Sequence, residues 1–243
     1  MKRTERHHLK ENELHNLARQ AREGFESRRR ETTAIVAALA VVGVAIAVYF
    51  IWHEQVQGRA HALLAQALVV QSARVGAPAA PGQPGAGGLS YQTERERAQA
   101  AVAKFKAAAD AYPSTDAGIF ARYQEGTTWI YLGSPSQAIS AYQQVIDRAG
   151  DGIYGQMARL GLAQAQALDG KYDQAINAFK ELAQHKDGPL PVDGILMQLG
   201  KAYLDAGKRA DAQQTFTRLV EEYPESPFSG DARKELENLK KTT

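Results

Sequence analysis

The residues able to do chemistry are few and poorly spaced for it. The chain has six histidines and no cysteine, so thiolate nucleophiles, disulfides and cysteine metal sites are excluded. His7, His8 and His15 match neither HExxH nor any other spacing with metal-ligand geometry. His61 and His185 stand without a partner in the sequence. Glu221, Glu222 and Glu225 are close together. Carboxylates at adjacent helical positions point in different directions, which makes a solvated surface rather than a paired acid and base. No G-x-S-x-G elbow and no Rossmann dinucleotide-binding fingerprint occurs. The stretch GAPAAPGQPGAGG, Gly76 to Gly88, lacks the Gly-Lys-Ser/Thr of a phosphate-binding loop. The sequence reads as no enzyme, with no cofactor and no metal. The chemistry left to it is that of contact surfaces.

A set of packing residues recurs with a period of 37. Gly126, Trp129, Gly133, Ala138 and Tyr142 form one copy; Ala163, Gln166, Gly170, Ala175 and Phe179 the next; Gly200, Tyr203, Gly207, Ala212 and Phe216 the third. A fixed period of this length marks stacked supersecondary units. Each unit reads as two antiparallel helices: 116–132 with 135–148, 153–169 with 172–185, and 193–206 with 209–223. Gly133, Gly170 and Gly207 end the first helices, where positive φ costs only glycine nothing. Ser134 and Pro135 read as N-cap and first helical residue. The small residues mark where paired helices cross, and Tyr142, Phe179 and Phe216 fill the space between pairs. Extra residues of the long period fall around Gly150–Gly152 and Asp187–Pro191. Pro113 and Pro224 close two of the second helices.

The pattern extends both ways. Ala101 and Phe105 lie one period before Ala138 and Tyr142, so 93–112 reads as the second helix of a repeat whose first helix is missing. A stalk helix, 53–75, is the available substitute. At the other end 227–243 reads as a polar capping helix with Ser226 as N-cap, Pro227 at the first helical position and Ala232, Leu236 and Leu239 as its apolar stripe.

Thr32 to Trp52 holds no charge, and at 1.5 Å per residue it is about 31 Å long, enough to cross a hydrocarbon core. Tyr49 and Trp52 sit at one end and Arg28 to Arg30 at the other. That asymmetry places the N-terminal arm, 1–31, in the cytoplasm and the repeats outside. A cleaved signal peptide fits less well: the leading segment carries six acids, the apolar run is long, and Ala-x-Ala sites fall inside the run or well beyond it. In the arm, Leu14, Leu17, Ala21 and Phe25 make an amphipathic helical stripe, read as a solvated helix leading into the span. Residues 76–92 read as a Pro/Gly-rich linker. Residues 1–31 hold nine Lys/Arg against six Asp/Glu, and the rest 20 against 21. The bulk of the chain thus lacks the basic field nucleic acid requires.

The repeated residues resemble the tetratricopeptide repeat, over residues 93–226. The resemblance is strongest in the third copy (Gly200, Tyr203, Ala212, Phe216, Pro224). The second departs from it, with Gln166 at the aromatic position and Asp187 at the closing Pro. It implies an all-α helical-hairpin solenoid whose first helices line a concave face for protein or unfolded-peptide partners. The family pattern puts Phe120, Tyr123, Thr127 and Tyr131 on that face from repeat one. Met157, Leu160, Gln164 and Leu168 follow from repeat two, and Gly194, Met197, Lys201 and Asp205 from repeat three. About half are expected to be covered by packing within the protein. The basic clamp for a peptide carboxylate is absent, since only Lys201 is positive.

The whole layout resembles the membrane-anchored ancillary subunit of the Sec translocon, a bacterial inner-membrane family. That resemblance implies a periplasmic repeat domain that assists translocation or envelope protein biogenesis, with the translocon as a partner. The repeats also resemble the periplasmic cell-division coordinator of the Tol–Pal system, on the phrases YPSTDAGIFARYQEG and YPESPFSGDARKELENL. The alternative function is a structural scaffold for envelope complexes, assembled by homo-oligomerisation.

Overall fold

The computed structural model describes residues 29–76, 88–185 and 188–241. The N-terminal arm and its helical stripe lie outside them. The chain divides into two compact units, Met1–Gln55 and Val56–Thr243.

The described part of the first unit is helix throughout, the opening part of α1 (Arg29–Gln71). Its apolar side chains from Ile35 to Trp52 are exposed. This helix is long and apolar enough to cross a membrane, with a mean hydropathy of 2.8 in its most apolar window. Tyr49 stacks on His53 at 5.9 Å near the end of the apolar run.

The second unit is a helical solenoid. Its elements after α1 are β1 (Arg74–Val75), β2 (Ser90–Tyr91), α2 (Glu94–Ala111), α3 (Asp116–Tyr131), α4 (Pro135–Ala149), α5 (Ile153–Leu168), α6 (Tyr172–Leu182), α7 (Val192–Asp205), α8 (Arg209–Glu222) and α9 (Ser229–Lys241). The three repeats are α3–α4, α5–α6 and α7–α8. Each contact runs between neighbours in the chain, and α3 also touches α5 and α5 touches α7. Such a stack buries apolar clusters that join neighbouring hairpins, the largest running from Ala163 to Leu239.

The turn inside each repeat is built the same way three times. Gly133, Gly170 and Gly207 have φ of 73°, 76° and 73°. The amide after each glycine bonds a carbonyl five residues back: Ser134 to Trp129, Lys171 to Gln166 and Lys208 to Tyr203. The glycine amides bond Ile130, Ala167 and Leu204. This pair of bonds satisfies the last carbonyls of each first helix. The large position of the sequence pattern (Trp129, Gln166, Tyr203) is therefore also the carbonyl that closes the turn. Ser134 is the N-cap residue and Pro135 opens α4, as expected, although the serine side chain makes no cap bond.

Close packing explains the small residues. A Cβ on Gly200 would come within 2.3 Å of the Phe216 ring, and one on Gly126 within 2.8 Å of Tyr142. Tyr142 is wedged between repeats, since a Cβ on Gly161 would come within 2.5 Å of the same ring. Phe105, Phe179 and Phe216 are fully buried, each contributing about 2–3 kcal/mol by area.

At the entry end, Ala60, Leu64, Ala67 and Val70 of α1 share a buried cluster with Phe105, Ala108, Ala117 and Ala121. The later part of α1 thus serves as the first helix that α2 lacks, and it is part of the repeat unit rather than a free stalk. The residues on either side of the Gly76 to Gly88 stretch pair with each other. Arg74 pairs with Ser90 and Val75 with Tyr91 in a parallel bridge. The Arg97 guanidinium donates to the Ala73 carbonyl at 3.1 Å. The segments flanking that stretch are therefore held next to each other, running parallel.

At the exit end α9 starts at Ser229, two residues later than expected. Ser226 is not its N-cap. Its hydroxyl donates to Asp193 at 2.6 Å and accepts from the Phe228 amide at 3.1 Å, so it holds the turn before the helix.

Candidate partner-binding face

The predicted residues occupy α3, α5 and α7 at a common spacing. Tyr131 and Leu168 are one period apart at the ends of α3 and α5, and both are more than half exposed, at 60% and 63%. They are thus large exposed side chains at equivalent places on two helices that touch. Thr127, Lys201 and Asp205 are also exposed, while Phe120, Tyr123, Met157, Leu160, Gln164 and Gly194 are partly covered.

Met197 is the exception. It is 2% exposed and belongs to the cluster of Ile195, Leu199 and Ala232. The position is closed over within a cluster that includes Ala232 of α9, whereas Tyr123 and Leu160 at the equivalent places are only partly covered. Met197 is core and is unavailable to a partner.

Repeat one holds its surface residues in place from beneath. The Tyr142 hydroxyl lies 3.1 Å from that of Thr127, which donates to the Tyr123 carbonyl at 3.2 Å. The Tyr123 and Tyr142 rings are 5.7 Å apart. Burial pushes the Tyr142 phenol up to about 12, with the Thr127 bond acting against it, so the phenol stays neutral and keeps its proton for this chain. Phe120 packs on Tyr154 at 5.6 Å. These contacts reduce the rotamer freedom a partner would otherwise have to freeze.

Sequence reasoning missed a charged cluster under the same repeat. Arg122 and Glu125 are buried and paired at 2.5 Å, and Arg122 also pairs with Asp110 on α2. Trp129 donates to Glu125 at 3.3 Å. Lys106 and Arg122 hold the Asp110 carboxyl below its ordinary range. Arg122 and Glu125 sit three residues apart on one helix, an ordinary surface pattern, and no sequence signal says that Asp110 of α2 will meet them.

A cavity of about 940 Å³ lies elsewhere. It opens among α4, α5 and α6, beside Ile146, Arg159, Leu162 and His185, and contains none of the predicted residues. It exists where α6 ends early at Leu182, near the extra residues of the period. Arg159 in its wall is paired with Asp151 at 2.9 Å. No group of three His, Asp or Glu side chains fit to hold a metal comes together among the described residues.

Stacked antiparallel hairpins with a face of contact residues define the class: a helical-hairpin solenoid, an architecture that works through its surface. The repeats themselves are tetratricopeptide repeats, since models described as "Tetratricopeptide repeat" match residues 123–189 and 167–229. Such repeats bind proteins or peptides and are in general non-enzymatic. No curated protein shows significant sequence similarity to the chain. Among solved structures it is similar to the TPR-like repeats of a putative kinesin light chain of Podosopora anserina. That match has 14% identity and a TM-score of 0.53, and covers 60% of this chain and 78% of that one. It is similar also to the apo form of RapI, with 12% identity and a TM-score of 0.53, covering 61% of this chain and 45% of that one. At these identities the likeness is one of fold.

Proposed function

We propose that this protein is a membrane-anchored, non-catalytic interaction module that binds proteins or unfolded peptides on the first-helix face of its repeats. One observation carries the reading: Tyr131 and Leu168 are large, apolar, exposed and equivalent on touching helices. α1 is the anchor, placed in a bacterial inner membrane with the N-terminus cytoplasmic and the repeats periplasmic. The charge asymmetry around the apolar run supports this orientation. The layout supports a role in translocation or envelope protein biogenesis, with the Sec translocon as a partner.

Photo-crosslinking residues at Tyr131 and Lys201 capture proteins in intact cells under this reading, while probes at Asn177 and Glu221 on the second helices do not. Capture only from the second helices overturns the face. Orientation is tested on a chain free of cysteine. In intact spheroplasts an impermeant maleimide labels Asn177→Cys and spares Glu11→Cys; the reverse pattern inverts the topology.

A further inference from the structure

The 37-residue step does not stop at the third repeat. From Gly194, Met197 and Lys201 it lands on Asp231, Lys234 and Asn238, all on α9. A matched pair of contacts supports the equivalence. Near the start of α5 the Tyr154 ring packs on Phe120. Two steps further along, Phe228 lies over Gly194, where a Cβ would sit 3.4 Å from the ring. α9 is therefore the first helix of a fourth hairpin. Its Ala232 and Leu239 are buried like other first-helix residues. Glu237 stands, exposed, at the position of Ala163 and Gly200, so among the described residues no second helix closes on it.

We propose that the binding face spans four helices, α3, α5, α7 and α9, and takes an extended polypeptide segment that is apolar and uncharged in one half and of alternating charge in the other. This rests on the partner-binding reading above and specifies its ligand. The face positions on α3 and α5 (Phe120, Tyr123, Thr127, Tyr131, then Met157, Leu160, Gln164, Leu168) include no carboxylate, ammonium or guanidinium. On α7 and α9 the charged positions of the face are Lys201, Asp205, Asp231 and Lys234, all exposed, with the uncharged Asn238 exposed among them. Asp231 and Lys234 pair with each other at 3.1 Å while 61% and 77% exposed. A pair so open to water is held weakly and exchanges readily for a partner's charges. A wholly apolar segment would strip water from these groups without replacing it. A wholly charged one would do the same to itself against Tyr131 and Leu168. The apolar half supplies affinity, and the charged half fixes direction and register.

The test uses the full chain in nanodiscs and two short fluorescent peptides of identical composition, both amidated at the C-terminus. One has a Leu/Phe/Ser half followed by a Glu/Lys half; the other interleaves the same residues. The graded peptide is expected to bind about tenfold tighter or more. Tyr131→Ser with Leu168→Ser weakens it by a similar factor at any salt concentration. Asp205→Lys with Lys234→Glu shifts preference toward a peptide with Glu and Lys exchanged. Equal affinity for graded and interleaved peptides, with Tyr131→Ser weakening both, overturns the graded face and leaves the partner-binding reading standing. Failure of both peptides to bind also overturns it, and capture at Tyr131 in cells then judges the broader reading separately.

Discussion

The two ends of the solenoid are closed by helices that solve one problem in different ways. At the entry end the later part of α1 covers α2, reaching it through a connection that breaks the 37-residue period. At the exit end α9 covers α8 and keeps the period. The entry is reinforced by buried charge, with Arg122 bridging Asp110 and Glu125. The exit has a lighter tie, the Arg209 guanidinium donating to the Leu239 carbonyl at 3.2 Å. Both ends work because each closing helix presents small and apolar residues at intervals of three and four. Contact sets the register of an array; the route the chain takes to reach it does not.

This difference can be tested by perturbing each end. The largest effect is expected at the entry. Arg122→Met leaves Glu125 buried without its cation, at a cost of about 3–5 kcal/mol. Adding Glu125→Leu recovers most of it, and urea unfolding of the detergent-solubilised chain reads both values. Next comes Ala232→Leu, which overpacks a fully buried site on α9 for about 1–3 kcal/mol. Its hydrogen-exchange increase is confined to α8 and α9; a matching increase in α1 and α2 would show the ends are not independent. Arg209→Met costs about 0.5–1 kcal/mol. The smallest effect is acid sensitivity at the entry. The folded Asp110 carboxyl lies below its ordinary 3.8, so its contribution is complete above that value. It is lost as pH falls through the lower folded value. Asp110→Asn removes this acid dependence of exchange in α2, while exchange in α9 does not change.

The sequence made the repeat interior legible because close packing leaves so little choice there. Gly200 under Phe216 and Gly126 under Tyr142 admit only the smallest residues, and the glycine turns admit almost nothing else. Helix limits in the three repeats follow from those fixed points. The entry hairpin was harder to see because the linker separates its two helices and no period spans the gap. The two-residue β-bridge carries no pattern at all. On the face, the family pattern puts Met197 outward like Tyr123, yet it lies in a cluster that gathers residues from α7, α8 and α9, which no local pattern announces. Asp231 and Lys234 were within reach of the same periodic step, but the polar character of 227–243 had marked that segment as a cap alone.

The β-bridge has one more consequence. The chain leaves the repeat unit after Gly76 and returns by Gly88 along adjacent strands, so the distance between exit and return does not depend on what lies between. Doubling the length of such a segment costs only about 0.6 kcal/mol in closure entropy. The position between Gly76 and Gly88 is therefore a natural port: a place where a reporter, an affinity handle or a whole extra module can be grafted without disturbing the hairpins on either side.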